Sequence, residues 1–486
     1  MFGLKKKRYS FTYRGAKRFV LGVFGVVIVM MVGGGCYALS QEEARHLLAR
    51  TGFSPPRLTE LETIVPLTRG EAVDFLLNKS NLSPKTPAPA WVGELPPAYK
   101  VRKKWSSIER QAFNMQNRQR LRELQSWWVT ELLSTTSPLT ENLVLFWHNH
   151  FTSSFQRVKW VPYLYHQNIL LRQHALGDFK RLLREIVTDP AMLFFLDGRR
   201  NHAKQPNENF AREFFELFTL GEGNGYTEKD IREASRAFSG WVMRPDNVKA
   251  IFKPRRHDNG LKTILGNTGN FSTNDVVSLV LEHPRVSVHI AEKFFVSYIG
   301  GKMDRAEIER LARLFRQSNY NIRTLFRAIL LSNAFWDRAR RGVIIKTPSD
   351  MTIGVARLVQ WRGNTTFLVN KMKSMGQEFF RPPNVKGWQG GTAWITATSL
   401  SARNRFTARL LRDLGKVGER EADGTMMMTS MKTNALLEKA MGSDMDINGL
   451  ISIMLAVQPV QKFLEQAVPP TAKISALMQD PAFQMK

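Results

Sequence analysis

Residues 207–221 read NENFAREFFELFTLG, and their apolar side chains repeat at the spacing of an α-helix. Phe210, Phe214, Leu217 and Phe218 fall on one face, which is the pattern of a helix packed against a core. The same period recurs along the chain, whereas alternating, valine-rich strand patterns are scarce. The sequence therefore predicts a mainly α fold.

Helix signals lie on both sides of this segment. Asp178 is a suitable N-cap for the apolar-periodic residues that follow it, and Thr227 with Asp230 has the pattern of a capping box. Residues 78–97 are rich in Pro, Ser and Thr, which predicts a loop. Apolar periodicity predicts further helices over 42–50, 70–77, 100–133, 325–335, 351–361 and 402–414.

The first forty residues have the layout of a secretory signal. Seven Lys or Arg residues and no acidic residue precede an apolar run at 19–32, and small residues follow it. Three alternatives stay open: cleavage after Ser40, lipidation at Cys36 in a Gly-Gly-Gly-Cys box, or an uncleaved span over the uncharged residues 19–41. We expect a signal peptide or membrane anchor over 1–40, one large helical domain over 41–486, and export to a periplasmic or membrane-anchored location.

The charge of the chain favours an anionic partner. The net charge is +28, and +21 remains when the first forty residues are left out. Such an excess favours a polyanion such as an acidic polysaccharide or anionic lipid, and no motif specific for nucleic acid is present. Residues 100–110 form a basic stretch, which is either a solvated helix face or a polyanion contact. Cys36 is the only cysteine, which excludes an intramolecular disulfide.

Polar residues crowd into otherwise apolar segments between positions 145 and 265, which predicts a site because buried ionisable groups are costly unless paired or bound. Glu208, Arg212 and Glu216 are four residues apart and predict an ion-pair ladder. Glu213 lies at the margin of the apolar face, so it needs a cation from outside its helix, such as a histidine or a metal. The chain has no Ser-hydrolase elbow, no dinucleotide-binding glycine motif and no H-E-x-x-H pair.

Residue chemistry assigns candidate roles. Asp258 is placed to orient His257. His148 and His150 are two residues apart, so their side chains diverge if they lie on a helix. One of the two is therefore expected to be structural. Three alternatives stay open: a divalent-metal site, a metal-free acid/base or binding site, and a buried structural network. The candidate catalytic residues are His148, His150, Glu213, Glu216, His257 and Asp258; the candidate metal ligands are His148, Glu213, Glu216 and His257; and the candidate substrate-binding residues are Arg212, Lys262 and Asn209.

The order of several motifs resembles that of a bacterial family, the domain-of-unknown-function 1800 family. The motifs are HLLARTGF (46–53), FWHNHF (146–151), DPAML (189–193), LDG (196–198), NENFAREFFELFTLG (207–221), YTE (226–228), SGW (239–241), HDNGLKT (257–263), RGVIIK (341–346), GQ (376–377) and PPNVKGW (382–388). The resemblance implies an exported, largely helical protein whose gene often lies next to one of the domain-of-unknown-function 1501 family, itself similar to sulfatases and phosphatases. It implies no established activity.

Two functions are therefore expected as alternatives. The first is an exported cell-envelope enzyme, metal-assisted if the divalent-metal alternative holds, that acts on an anionic or polymeric substrate. The second is a non-catalytic envelope binding or scaffold protein whose buried polar network is structural.

Overall fold

The computed structural model describes residues 37–244, 248–415, 447–460 and 470–486. The predicted signal or anchor lies almost entirely outside the described residues. Residues 38–486 form one compact unit. Within the described ranges, no helix is both long enough and apolar enough to cross a membrane.

The mainly α prediction is confirmed. In the described ranges there are 22 α-helices and only two small sheets, so the core is built by helices packing on helices. The first twelve helices are α1 (Gln41–Thr51), α2 (Leu58–Ile64), α3 (Arg69–Asn78), α4 (Tyr99–Lys103), α5 (Ser107–Ser134), α6 (Pro138–His150), α7 (Phe155–Val158), α8 (Val161–Gln173), α9 (Phe179–Ile186), α10 (Pro190–Phe195), α11 (Glu208–Glu213) and α12 (Glu228–Ala237). The others are α13 (Thr273–Glu282), α14 (Pro284–Phe294), α15 (Arg305–Gln317), α16 (Ile322–Leu330), α17 (Asn333–Trp336), α18 (Pro348–Leu358), α19 (Thr365–Ser374), α20 (Ala397–Gly415), α21 (Ile447–Met454) and α22 (Pro470–Gln479).

Two antiparallel hairpins lie between α12 and α13. In the first hairpin Val242 stands opposite Ile251, and in the second Thr263 stands opposite Thr268. The strands are β1 (Trp241–Met243), β2 (Ala250–Phe252), β3 (Lys262–Ile264) and β4 (Asn267–Gly269). Each strand has three residues, so the hairpins shape a polar loop rather than form a layer of the core.

Side-chain caps explain where several helices begin. Asp178 caps α9, and Thr227 forms a capping box with Asp230 at the start of α12, as predicted. The single helix predicted over 100–133 is wrong. Ser106 and Glu109 form a reciprocal capping box that starts α5, so the chain leaves the helical conformation after α4.

Helix α6 lies at the centre of the core, where it packs against α8. The two helices share a buried ion pair: the Arg172 guanidinium donates from Nε and Nη2 to the two Glu141 oxygens, at 3.0 and 2.7 Å. The Trp128 indole N–H donates to the same carboxylate at 3.0 Å. Because every oxygen of this carboxylate is bonded, its burial is compensated within the core.

Helix α11 ends at Glu213, and the chain continues without a break as a π-helical turn, Phe214–Thr219. A π-helical turn widens the helix, and such turns often occur at functional sites. The segment 207–221 thus keeps its apolar face, with Phe210, Phe214 and Phe218 buried. Its last carbonyl groups have no partner within the helix and face the neighbouring elements.

Candidate functional site

The predicted ion-pair ladder is formed at the surface. Arg212 lies 3.5 Å from Glu208 and 3.4 Å from Glu216, and it also contacts Glu228 of α12 at 2.7 Å. The helical wheel could not show Glu228, because that residue belongs to a different helix. Arg212 is thus shared among three carboxylates and is not free to hold a substrate anion.

Glu213 is half-buried, and one cation near it comes from outside its own helix. Burial raises the pKa of its carboxyl, the charge of Glu216 raises it further, and the opposing positive charges are those of Lys386 and Arg212. A histidine or a metal from outside the helix is the predicted partner; the cation from outside the helix is instead Lys386, and no histidine contributes. Asn209 donates from its side-chain amide to the Leu196 carbonyl at 3.2 Å, which gives it a structural role.

His148 and His150 diverge because both lie on α6. His148 is buried among the rings of Trp128, Phe380 and Trp388. Burial lowers the pKa of His148 to about 4, and its Nε2 has no hydrogen-bond partner among the described residues. His148 is therefore a neutral core residue, enclosed away from any ligand.

The polar loop after α12 is held by hydrogen bonds to the end of α12 and within its own turn. Asp258 accepts two bonds from Arg236, at 2.8 and 3.0 Å, and this pairing lowers the pKa of the Asp258 carboxyl. Asp258 therefore does not orient His257, whose Nδ1 instead lies 3.0 Å from the Ser239 carbonyl oxygen. Lys262 is buried and donates to the Gly260 carbonyl at 3.0 Å and to Asn270 Oδ1 at 3.2 Å. Its ammonium group fixes the turn.

The predicted metal ligands are not brought together. Within the described ranges, no three His, Cys, Asp or Glu side chains are grouped so that they could hold one metal ion. His148, Glu213 with Glu216, and His257 instead belong to the three separate environments described above.

A central cleft of about 690 Å³ opens beside α6 and α14. We call it the central cleft; its walls come from α6, α14, the glycine-rich turn after the π-helical segment, the start of α18 and the PPNVKGW loop. Of the predicted site residues, His150 alone lines it. A volume of this size is in the range of small-molecule and short-polymer sites.

Two histidines, His150 and His289, face the central cleft, and their rings are held by equivalent hydrogen bonds. His150 Nε2 lies 3.2 Å from the Phe218 carbonyl oxygen, and His289 Nε2 lies 3.0 Å from the Leu217 carbonyl oxygen. These are end carbonyls of the π-helical turn, so each Nε2 donates and each Nδ1 keeps a lone pair. The ring centroids are 6.1 Å apart. The anchored tautomers give the cleft two imidazole acceptors.

Both imidazoles are neutral at physiological pH. Burial lowers the pKa of His289 to about 4, and the Leu217 hydrogen bond opposes this while Lys293 and Arg285 add repulsion. Burial likewise holds the pKa of His150 well below its usual range, with Lys293 and His289 adding to the effect. Each neutral imidazole can therefore accept a hydrogen bond or a proton from a ligand at its Nδ1 atom, and the neighbouring cations can attract an anion.

Arg285 and Lys293, the two cations on this face of α14, differ in the contacts that they already make. Arg285 donates to Glu292 at 2.6 Å and to the Leu220 carbonyl at 2.9 Å. Lys293 is exposed to the cleft and makes no ion pair with any described residue. Partial burial lowers the pKa of its ammonium group, Glu292 opposes this, and Lys386 adds repulsion. Lys293 is thus the cation of this wall that a ligand anion can reach.

The opposite wall is built by two sequence motifs that meet in space. The Asn149 amide donates to the Trp388 carbonyl at 3.2 Å and accepts from the Trp388 N–H at 2.7 Å. Gly387 has φ +74°, and a Cβ there would lie 2.2 Å from Asn149 Oδ1, so only glycine fits. The FWHNHF and PPNVKGW motifs therefore form one side of the cleft together. Lys486 and Asp350, also in this wall, are 2.8 Å apart and satisfy each other.

Sequence reasoning missed His289. A signal was present, because Arg285, His289 and Lys293 are four residues apart and therefore share one face of α14. This pattern lies outside residues 145–265, the segment in which polar residues crowd into otherwise apolar sequence.

The fold and cleft describe a helical protein with a polar, histidine-bearing site, and the comparisons place it in a family. Residues 46–485 match the family model described as Protein of unknown function (DUF1800), nearly the whole chain. The chain belongs to this family. No curated protein and no solved structure matches it.

Proposed function

We propose that the protein is an exported cell-envelope enzyme that binds an anionic substrate in the central cleft and moves a proton through His289 or His150. The observation that carries this proposal is the pair of anchored, neutral imidazoles beside Lys293, which forms no ion pair with a described residue. Titratable groups with shifted pKa values that converge on one cleft are typical of functional sites.

The charges of the cleft link binding to proton transfer. Burial lowers the pKa values of both histidines, and the charge of Lys293 lowers them further. An anion placed beside Lys293 offsets that repulsion and brings a negative charge near the imidazoles, so it raises their pKa values toward the pH at which they exchange protons. The substrate itself would therefore tune the base.

The side chains that line the central cleft fit proton transfer better than they fit metal catalysis. Catalytic zinc sites use three protein ligands, whereas the cleft offers two neutral imidazoles, His150 and His289, and no third histidine or carboxylate groups with them among the described residues. The envelope location rests on the basic and apolar N-terminal sequence, and an acidic envelope polymer is the substrate class that the net charge favours. A protein of the domain-of-unknown-function 1501 family is the partner that the family resemblance implies.

A non-catalytic binding protein is the second candidate function. One observation favours it: the pKa of His289, about 4, is far from neutral pH in the ligand-free protein, and such an imidazole is a weak base. In that case the two Nδ1 atoms and Lys293 would serve only to recognise a ligand.

The test compares turnover and binding in the same variants. We expect the full-length protein to release products, detected by mass spectrometry, from acidic polysaccharide or peptidoglycan isolated from the envelope. His289→Gln keeps a donor for the Leu217 carbonyl but removes the proton acceptor, so turnover should fall by about 10²–10⁴-fold. Lys293→Gln should raise KM more than it lowers kcat, because it removes charge from binding.

His202→Gln is the matched control, since His202 lies outside the cleft and should leave turnover unchanged. Turnover at the parent rate in both His289→Gln and His150→Gln would refute the enzyme proposal. Binding that depends on Lys293, without any product, would establish the second candidate.

A further inference from the structure

A second polar depression lies along one face of α5 and shares no lining residue with the central cleft. We call it the α5 groove; it has a volume of about 550 Å³. Arg118 and Arg122, four residues apart, form one wall, and Lys159, Lys373 and Arg381 also line it. Both α5 arginines are exposed, so their guanidinium groups are accessible.

The charges of the α5 groove are not balanced. Glu378 is the one acidic residue that lines it, against five cations. Lys373 and Arg381 already contact this carboxylate, at 3.3 and 3.2 Å. The three remaining cations, Arg118, Arg122 and Lys159, form no ion pair with any residue that the structure describes. Like charges four residues apart on a helix repel each other, so an anion between them is favourable.

Two buried polar atoms in the same lining also lack partners. Asn117 is 2% exposed, its amide donates to the Phe113 carbonyl, and its Oδ1 accepts no hydrogen bond from the described residues. The Arg381 Nε–H is likewise buried and unpaired among them. Unpaired buried polar atoms are rare in proteins, and here one is an acceptor and the other a donor. A ligand that satisfies both needs hydroxyl groups as well as acidic groups.

The groove is long enough for a chain-like ligand. A neighbouring depression is lined by Arg110, Asn114 and Arg118, and the last two also line the α5 groove. Arg110, Asn114, Arg118 and Arg122 follow at four-residue spacing, so the stripe runs about 18 Å along α5 at 1.5 Å per residue. The ligand is therefore expected to be extended.

We infer that the α5 groove binds an acidic polysaccharide chain, with its acid groups on Arg118, Arg122 and Lys159 and a hydroxyl group donating to Asn117. Phe155 is the one aromatic residue in the lining, whereas sequence-tolerant binding of single-stranded nucleic acid uses several stacking rings. The cations line a concave groove, whereas helices that bind lipid surfaces carry a broad apolar face. This inference does not depend on catalysis in the central cleft.

Binding of defined probes to the full-length protein tests the inference. The probes are polygalacturonate and heparin oligosaccharides, with polyphosphate, oligothymidylate and phosphatidylglycerol vesicles for comparison. We expect either oligosaccharide to bind more tightly than polyphosphate of equal charge, which has no hydroxyl groups along its chain. Arg118→Gln/Arg122→Gln should weaken oligosaccharide binding about tenfold and flatten its salt dependence. The better of the two oligosaccharides identifies the acid group.

The matched control is Lys229→Gln/Arg232→Gln, which removes the same charge from an exposed face of α12. Neither residue lines the α5 groove or the neighbouring depression. The control should change affinity by less than about twofold, because charges beyond the screening length contribute little. Thermal melts of both double variants should match the parent, since all four side chains are exposed. Equal losses in the two double variants, or tighter binding of polyphosphate, oligothymidylate or vesicles, would overturn the inference. The readout of this test is binding alone, so its failure would leave the turnover test of the proposed function standing.

Discussion

At the scale of single residues, local burial decides what each ionisable group does. His148 and His150 are two positions apart on α6, yet one is enclosed by aromatic rings and the other lines a cleft. Glu216 is paired with Arg212, whereas burial and the neighbouring Glu216 both raise the pKa of Glu213. Glu213 and Glu216, two residues of the same type in one segment, therefore have opposite effects on stability.

Glu213→Gln should leave the protein as stable as the parent or raise its free energy of unfolding by about 0.5 kcal/mol at neutral pH. The raised pKa means that the ionised carboxyl disfavours the folded state above that pKa. The gain should vanish as pH falls below the carboxyl's ordinary value, where Glu213 is protonated in both states. Urea denaturation at several pH values measures the difference.

Glu208→Gln on the same helix is the control, because it removes one of the Arg212 contacts and should slightly lower stability. A loss of several kcal/mol in Glu213→Gln would mean that Glu213 belongs to a fully paired buried network, contrary to the arrangement described here.

At the scale of helices, the contact between α6 and α8 depends on one compensated pair. Glu141→Gln should lower the free energy of unfolding by about 3–5 kcal/mol, because Arg172 would stay buried without its counter-charge. Chemical denaturation with an unchanged m-value measures this loss. Glu309→Gln, in the exposed pair with Arg313, should cost less than about 1 kcal/mol. A Glu141→Gln variant as stable as the Glu309→Gln control would contradict the structural role of the pair.

The helices were predictable where their signals are local. Asp178 and the Thr227–Asp230 pair cap helices through residues two or three positions away, so the sequence contains the whole signal. The break before α5 depends on the equally local Ser106 cap, which the apolar pattern of 100–133 obscured. The π-helical turn was not predictable, because periodicity alone does not distinguish it from a continued α-helix.

At the scale of the whole molecule, the site could be predicted only in part. His150 was identified, but the central cleft depends on residues such as Asn149 and Trp388, which bond although they are 239 positions apart. Crowding of polar residues in the sequence marks costly groups but does not show which of them a neighbouring helix covers. Lys262 satisfies that cost within its own turn, and His257 satisfies it through the Ser239 carbonyl after α12. His289 becomes a site residue only when α14 packs beside the π-helical turn.

The compartment of the protein is a prediction that rests on its N-terminal sequence. Seven basic residues ahead of an uncharged apolar run predict export, so fractionation should place the protein outside the permeability barrier of the inner membrane. Detection should use an antibody raised against the folded domain. Labelling with a fatty-acid analogue that is lost in Cys36→Ser would select the lipoprotein alternative, and a shortened, unlabelled chain would select cleavage near Ser40. Recovery in the cytosol at full precursor mass would contradict export, and with it the envelope substrate of the proposed function.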